Sequence, residues 1–219
     1  MKRILWISKR RPTSKEVLEL EKIFGNVKIV YFWRIITSQE ALDLMERFRC
    51  KEIVGTFNVA FYKDLLDAGV YPIKAVEQKI RAGVYKFLYY IRIYDVQYED
   101  LKPVKRGYTR VLWLSRHKMT EDEYLELKRI YGNVDVIHYY KIIHKADEVR
   151  SLMKRFNADE VITVIAPQLY RDILRLGIEP IKPLMVYGKF DKYVRIKKFE
   201  YYVLKPKSLY SLKTYKGVV

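Results

Sequence analysis

One cysteine, nine glycines and no long apolar run set the first limits on this sequence of 219 residues. A lone Cys50 has no partner for an intramolecular disulfide and excludes a cysteine-based metal cluster within the chain. Apolar stretches such as VITVIA, residues 161–166, fall far short of the roughly 20 residues that a membrane-spanning helix needs. The opening MKRILWISKRR pairs basic residues with an apolar run, but Lys9, Arg10 and Arg11 cut that run short and no small-residue cleavage site follows. These absences predict a cytoplasmic protein without a membrane partner. Glycine is also missing from the two loops, residues 8–13 and 115–120, where a dinucleotide or phosphate-binding fold needs it for close backbone approach. No Rossmann cofactor is expected, nor any other.

Positive charge is what the chain has in excess. Lys and Arg number 43 against 26 Asp and Glu, a net charge of +17, which favours polyanionic partners, nucleic acid ahead of anionic membrane. The wealth of Lys, Arg, Glu, Ile, Val and Tyr also suits a thermophile's surface, but such a surface mixes both signs more evenly. The surplus is shared. Residues 1–107 hold 21 basic against 13 acidic residues, a surplus of 8, and the remainder 22 against 13, a surplus of 9.

That even division has a counterpart in an internal repeat. ILWISKRRPTSKEVLELEKIFGNVKIVYFWRII (4–36) aligns with VLWLSRHKMTEDEYLELKRIYGNVDVIHYYKII (111–143), and YKDLLDAGVYPIK (62–74) with YRDILRLGIEPIK (170–182). IRI meets VRI, and LKP recurs at 101–103 and 204–206. Two copies of domain size indicate a tandem duplication rather than a solenoid, with repeats at 1–106 and 107–219 and a boundary in PVKRGYT, residues 103–109. Cys50 aligns with Ala158, as a small core residue would.

Within each repeat, short continuous apolar runs alternate with helical periods. ILWI and VLWL read as buried strands. Helices begin at Thr13 and Thr120, each with glutamate three residues on (Glu16, Glu123), the capping-box spacing, and stop at Gly25 and Gly132. Strands VKIVYF and VDVIHYY follow, then helices near 39–48 and 146–156, strands EIVGTF and EVITVI, and helices ending at Gly69 and Gly177. PIK opens a fourth strand, and a last strand pair rich in Tyr, Lys and Arg closes each repeat. The order predicts an α/β fold: two small doubly wound domains with parallel strands, helices on both faces, an antiparallel edge extension and a pseudo-twofold relation.

Ligands of such sheets sit outside the carboxyl ends of the strands. That rim holds SKRRPT and SRHKMT after the first strands, Trp33-Arg34 and Tyr140-Lys141 after the second, and Asn58 and Ala166-Pro167 after the third. The expected phosphate contacts are Lys9, Arg10, Arg11, Lys15, Arg34, Arg116 and Lys141. Ser115, His117 and His144 form a weaker catalytic constellation, with Asp147 nearby in sequence, because serine, imidazole and carboxylate can act as nucleophile, base and orienter. No nucleophile elbow surrounds Ser115, and the repeat places Arg10 and Tyr31 where His117 and His138 stand. His138 and His144 lack metal-ligand spacing, so no metal is expected. The recurrent Asp64 and Asp172 read as exposed helix charges. Twenty tyrosines, many interleaved with cations in VYKFLYYIRIY (84–94) and FEYYVLKPKSLYSLKTYKG (199–217), suit either base stacking or packing over the sheet.

SRH (115–117), ELKRIYGNVDVI (126–137), ADEV (146–149), DEVITVIAP (159–167) and GIEPIKPLM (177–185) together resemble a group of uncharacterised proteins encoded by phages, plasmids and integrated elements, including those of hyperthermophilic archaea. The likeness covers most of each repeat and is closer in the second; SKR and TFNVA in the first depart from it. It implies a mobile-element protein and no particular reaction. The leading expectation is a non-enzymatic nucleic-acid-binding monomer, an internal pseudo-dimer that grips phosphates, with DNA favoured over RNA. The alternatives are a nucleotide sensor or hydrolase in a cleft between the repeats, and a protein-binding scaffold.

Overall fold

The structure is a computed structural model and describes residues 1–34, 37–81, 84–104, 107–186 and 188–206. Two parts of the sequence reading, the boundary residues Lys105 and Arg106 and the Tyr/Lys segment from 207 to 217, therefore lie outside the described residues. The chain forms two compact units, Met1–Phe57 with Phe61–Tyr94 and Tyr201–Val219, and Asn58–Ala60 with Asp95–Glu200.

Along the first repeat the elements are β1 (Lys2–Ile7), α1 (Ser14–Phe24), β2 (Val27–Phe32), α2 (Ser38–Arg47), β3 (Glu52–Gly55), α3 (Val59–Asp67), β4 (Ile73–Arg81) and β5 (Val84–Asp100). The second repeats that order: β6 (Thr109–Leu114), α4 (Glu121–Tyr131), β7 (Val134–Tyr139), α5 (Ala146–Phe156), β8 (Glu160–Thr163), α6 (Gln168–Arg175), β9 (Ile181–Val186) and β10 (Lys189–Val203). Strand order is β2-β1-β3-β4-β5 in one and β7-β6-β8-β9-β10 in the other. The first four strands of each order are parallel and the fifth is antiparallel. This is an α/β, Rossmann-like layering.

Local chemistry accounts for the helix ends. Thr13, Thr37 and Thr120 each accept the backbone N–H of a glutamate three residues on, and Glu16, Glu40 and Glu123 reach back to the threonine N–H at 2.7, 2.8 and 2.6 Å. Gly25 and Gly132 take φ of 82° and 75° beyond α1 and α4, a conformation that side chains with a Cβ resist. In the second unit, Val111 and Trp113 of β6 pack with Leu127, Ile130 and Tyr131 of α4, whereas Leu112 and Leu114 pack with Val149 and Leu152 of α5 and Ile173 of α6. Alternation along the strand thus places α4 on one face and the other two helices on the opposite one. The same alternation directs Ile4 and Trp6 to Leu20 and Ile23 of α1. Cys50 is buried, as a small core residue should be.

The strands after PIK differ from the sequence reading. Each is one continuous strand, parallel to its neighbour at its start (Val54 with Ile73, Ile162 with Ile181) and antiparallel to the next over its length. No separate strand pair is needed, because β4 and β9 serve both sides. The third strands also stop at Gly55 and Thr163, two residues earlier than EIVGTF and EVITVI suggest. Tyrosines of the long strands divide in burial: Tyr90 and Tyr193 are buried and donate to the carbonyls of Glu16 and Glu123 at 3.1 and 3.2 Å, while Tyr85, Tyr89 and Tyr94 are exposed.

Strand ends are assigned crosswise. Residues 95–100 of β5 belong to the second unit, where Lys192 meets Asp100 at 2.9 Å, Lys197 meets Glu99 at 2.9 Å, Lys198 meets Asp95 at 2.6 Å, and the N–H of Leu101 donates to Tyr193 at 3.0 Å. Residues from Tyr201 belong to the first unit, where the N–H of Leu204 donates to Tyr90 at 2.9 Å and the Tyr94 and Tyr202 rings lie 6.0 Å apart. The limits 1–106 and 107–219 describe sequence repetition; compactness follows the strand ends instead.

Lys74 on β4 is 6% exposed, and its ammonium donates to the Ala75 carbonyl at 3.0 Å. Burial pulls its pKa down to about 8 from 10.5, with Glu77 opposing. Between those two values the unfolded chain binds the extra proton, so this group's penalty on stability fades as pH rises through the window. Lys74→Met is expected to stabilise the chain at pH 7 by about 2–3 kcal/mol, a gain that shrinks toward pH 10. Urea titrations of both proteins at the two pH values check this; a gain independent of pH refutes it.

Candidate nucleic-acid interface

The loops after β1 and β6 are braced in the same way. Ser8 Oγ accepts the N–H of Arg10 at 3.3 Å, and the Trp6 indole donates to the Arg10 carbonyl at 3.1 Å. Ser115 Oγ accepts the N–H of His117 at 3.1 Å, and the Trp113 indole donates to the His117 carbonyl at 2.9 Å. Ser115 is buried at 3% exposure, so its hydroxyl serves the turn. The His117 and His144 rings are exposed, and no hydrogen bond joins either to Ser115 among the described residues. His138 instead stacks on Tyr140, centroids 5.7 Å apart and planes at 15°. Among the described residues, no three His, Cys, Asp or Glu side chains gather as a metal site.

Adjacent strand ends bring two loops together at each rim. Ile7 pairs with Phe32 and Leu114 with Tyr139, so Lys9 and Arg11 neighbour Trp33-Arg34, and Arg116 and Lys118 neighbour Tyr140-Lys141. The Arg11 guanidinium lies 5.4 Å from the centre of the Tyr31 ring, and that of Arg34 5.7 Å from Phe32. Arg34 also approaches Glu40 at 3.9 Å. Lys9, Arg11, Lys15, Arg116, Lys118 and Lys141 are exposed and have no carboxylate partner among the described residues. Lys118 escaped the sequence reading although the repeat aligns it with Arg11.

Arg10 is placed differently. Its two terminal nitrogens donate to the fully buried carboxylate of Glu16 at 2.8 and 2.6 Å, and it also pairs closely with Glu77. Burial alone would raise the Glu16 pKa, but hydrogen bonds from Arg10 and Thr13 hold it below the usual carboxylate range. The Glu16 hydrogen bond likewise raises the Arg10 pKa. Its charge is thus balanced by two carboxylates. In the second unit His117 takes the place of Arg10, and Glu123 is held by Thr120, at 2.6 Å from its N–H and 2.9 Å from its hydroxyl.

Past β3 the chain turns Phe57 back over Gly55. A side chain at Gly55 would collide with the Phe57 ring, and Phe57 stacks on Phe61 at 4.1 Å, both buried. The carboxyl end of β3 is therefore filled, and the exposed cations lie on the β1–β2 side. Asn58 stands in this loop and is exposed; Asp64, also exposed, accepts from Ser38 Oγ at 2.6 Å. A depression of about 480 Å³, bordered by Val104, Gly107, Arg129 and Tyr131, lies at the other end of β6 and contains none of the expected site residues. No helix of the described chain is long and apolar enough to cross a membrane.

No protein-family model matches the sequence, and comparison with curated proteins finds no significant match. Among solved structures, a CobK precorrin-6A reductase is similar over 86% of this chain and 91% of its own, at 10% identity and a TM-score of 0.35. A likeness that distant brings none of the reductase's chemistry to this chain.

Proposed function

We propose that the protein binds nucleic acid, chiefly through its phosphates, at the rims formed by the loops after β1 and β2 and after β6 and β7. One observation carries this reading: Lys9, Arg11 and Lys15 at the first rim and Arg116, Lys118 and Lys141 at the second are exposed with no carboxylate partner among the described residues, and they stand beside one another at the strand ends, whereas Arg10 in the same loop is paired with Glu16 and Glu77. An exposed cation with no internal partner is available to displace counterions from a polyanion. No catalytic step belongs to this reading, since Ser115 serves the loop. The common element order of the units, with the sequence repeat, supports their origin in a tandem duplication. The resemblance to proteins of phages and plasmids supports a role in a mobile element, with DNA as the favoured partner and the monomer as the working form.

The test is a salt series of fluorescence anisotropy titrations with labelled oligonucleotides. Binding should weaken steeply with salt. Replacing Lys9 and Arg11 by alanine should lower the slope of log K against log salt by about 1.5–2. Absence of binding at low salt, or an unchanged slope in the double variant, refutes the reading.

A further inference from the structure

Building on that reading, we infer that the preferred ligand is a single-stranded nucleic acid, with one unstacked base held against Trp33 in the first unit and one against Tyr140 in the second. Trp33 follows β2, is 68% exposed and has no ring partner among the described residues. Tyr140 is at the aligned position after β7, is 48% exposed, and is backed on one side by His138 in a near-parallel stack. Each ring is followed by a cation, Arg34 or Lys141, and neighbours the unpaired cations of the preceding loop. Both units therefore repeat one constellation: a flat aromatic surface with positive charge beside it.

Each part of that constellation has a use on a single strand. A base whose π face is free can stack on an indole or phenol while the flanking phosphates meet Lys9 and Arg11, or Arg116 and Lys118. In an intact duplex the bases are already stacked on one another, and a rim aromatic meets sugar and phosphate, where its apolar face gains little. DNA and RNA present the same stacking face, so this chemistry admits both.

Trp33 also supplies the readout. The chain has three tryptophans, and Trp6 and Trp113 are buried at 3% and 1% exposure. A base stacking on the protein can therefore quench only Trp33 directly. Intrinsic fluorescence and anisotropy should be followed with an unstructured single-stranded 20-mer of DNA, its RNA equivalent, the corresponding duplex, and an abasic strand of equal length. The single strands should bind roughly tenfold more tightly than the duplex or the abasic strand, and only they should quench Trp33. Whichever of DNA and RNA binds more tightly identifies the source. Trp33→Ala and Tyr140→Ala should each weaken single-strand binding about tenfold and leave duplex binding and the salt slope unchanged. Trp33→Phe should retain most of the affinity. Duplex binding equal to or tighter than single-strand binding, or single-strand binding without quenching, overturns the inference and leaves the phosphate-binding reading standing. Failure of all four ligands to bind overturns both.

Discussion

Arg10→Met should destabilise the protein by about 3 kcal/mol, whereas His117→Met, at the aligned position, should change stability by less than about 0.5 kcal/mol. The reason is Glu16. Its carboxylate is fully buried, and Arg10 meets both of its oxygens. Removing the guanidinium leaves a buried charge with only Thr13 to satisfy it. Arg10 is itself 42% exposed, so the loss should fall toward the lower end of what broken buried pairs cost. A pH dependence identifies the cause. In the native chain the Glu16 pKa is depressed, so its contribution is present above the unfolded carboxyl value and is lost as pH falls through the folded one. In Arg10→Met the buried carboxyl is no longer held down and gains from protonation. The gap between the two proteins should narrow as pH falls from 6 to 4, as measured by urea denaturation. A gap that stays constant would mean that the loss is one of packing. Salt-dependent binding should respond far less to this change than to neutralising Lys9 and Arg11.

A fragment of residues 107–200 should be less stable than one of 95–200 by about 3 kcal/mol or more, and should self-associate. The three ion pairs of residues 95–100 with β10 are exposed and worth little individually. Leu101 contributes more: it is 9% exposed and belongs to the core formed by Val111, Trp113, Tyr131 and Tyr193. Losing it leaves a cavity, and losing residues 95–100 bares the edge of β10 opposite β9, an edge that invites pairing with another chain. Denaturant titration gives the stability difference and sedimentation velocity the association state. Equal stability in the two fragments would show that the repeat limits, not the strand ends, define the folding units.

Much of this architecture is legible in the amino acids. ILWI and VLWL are buried strands, and the spacings Thr13–Glu16 and Thr120–Glu123 mark helix starts that the hydrogen bonds reproduce. Such features depend on neighbours in sequence, and periodicity records them. Thr37–Glu40 has the same spacing and was equally readable. The pairing of strands distant in sequence is not encoded in periodicity, so the crosswise strand ends could not be read. The site divides on the same line. SKRR places four residues at a rim, but only the fold shows that Arg10 reaches Glu16 and Glu77 while Lys9 and Arg11 remain unpaired. Likewise, alternation cannot tell a strand-end tryptophan that packs from one that stays 68% exposed.

The crosswise strand ends also bear on how the chain is made. A ribosome delivers residues in order, and a domain whose contacts are all local can close as soon as it emerges. The first unit cannot: Tyr90 waits for the N–H of Leu204, and Tyr94 for the ring of Tyr202, until the whole of the second unit has been synthesised. During that interval the growing chain carries an unfinished sheet edge on its first unit, the period in which a chaperone or a nascent neighbour would find it open.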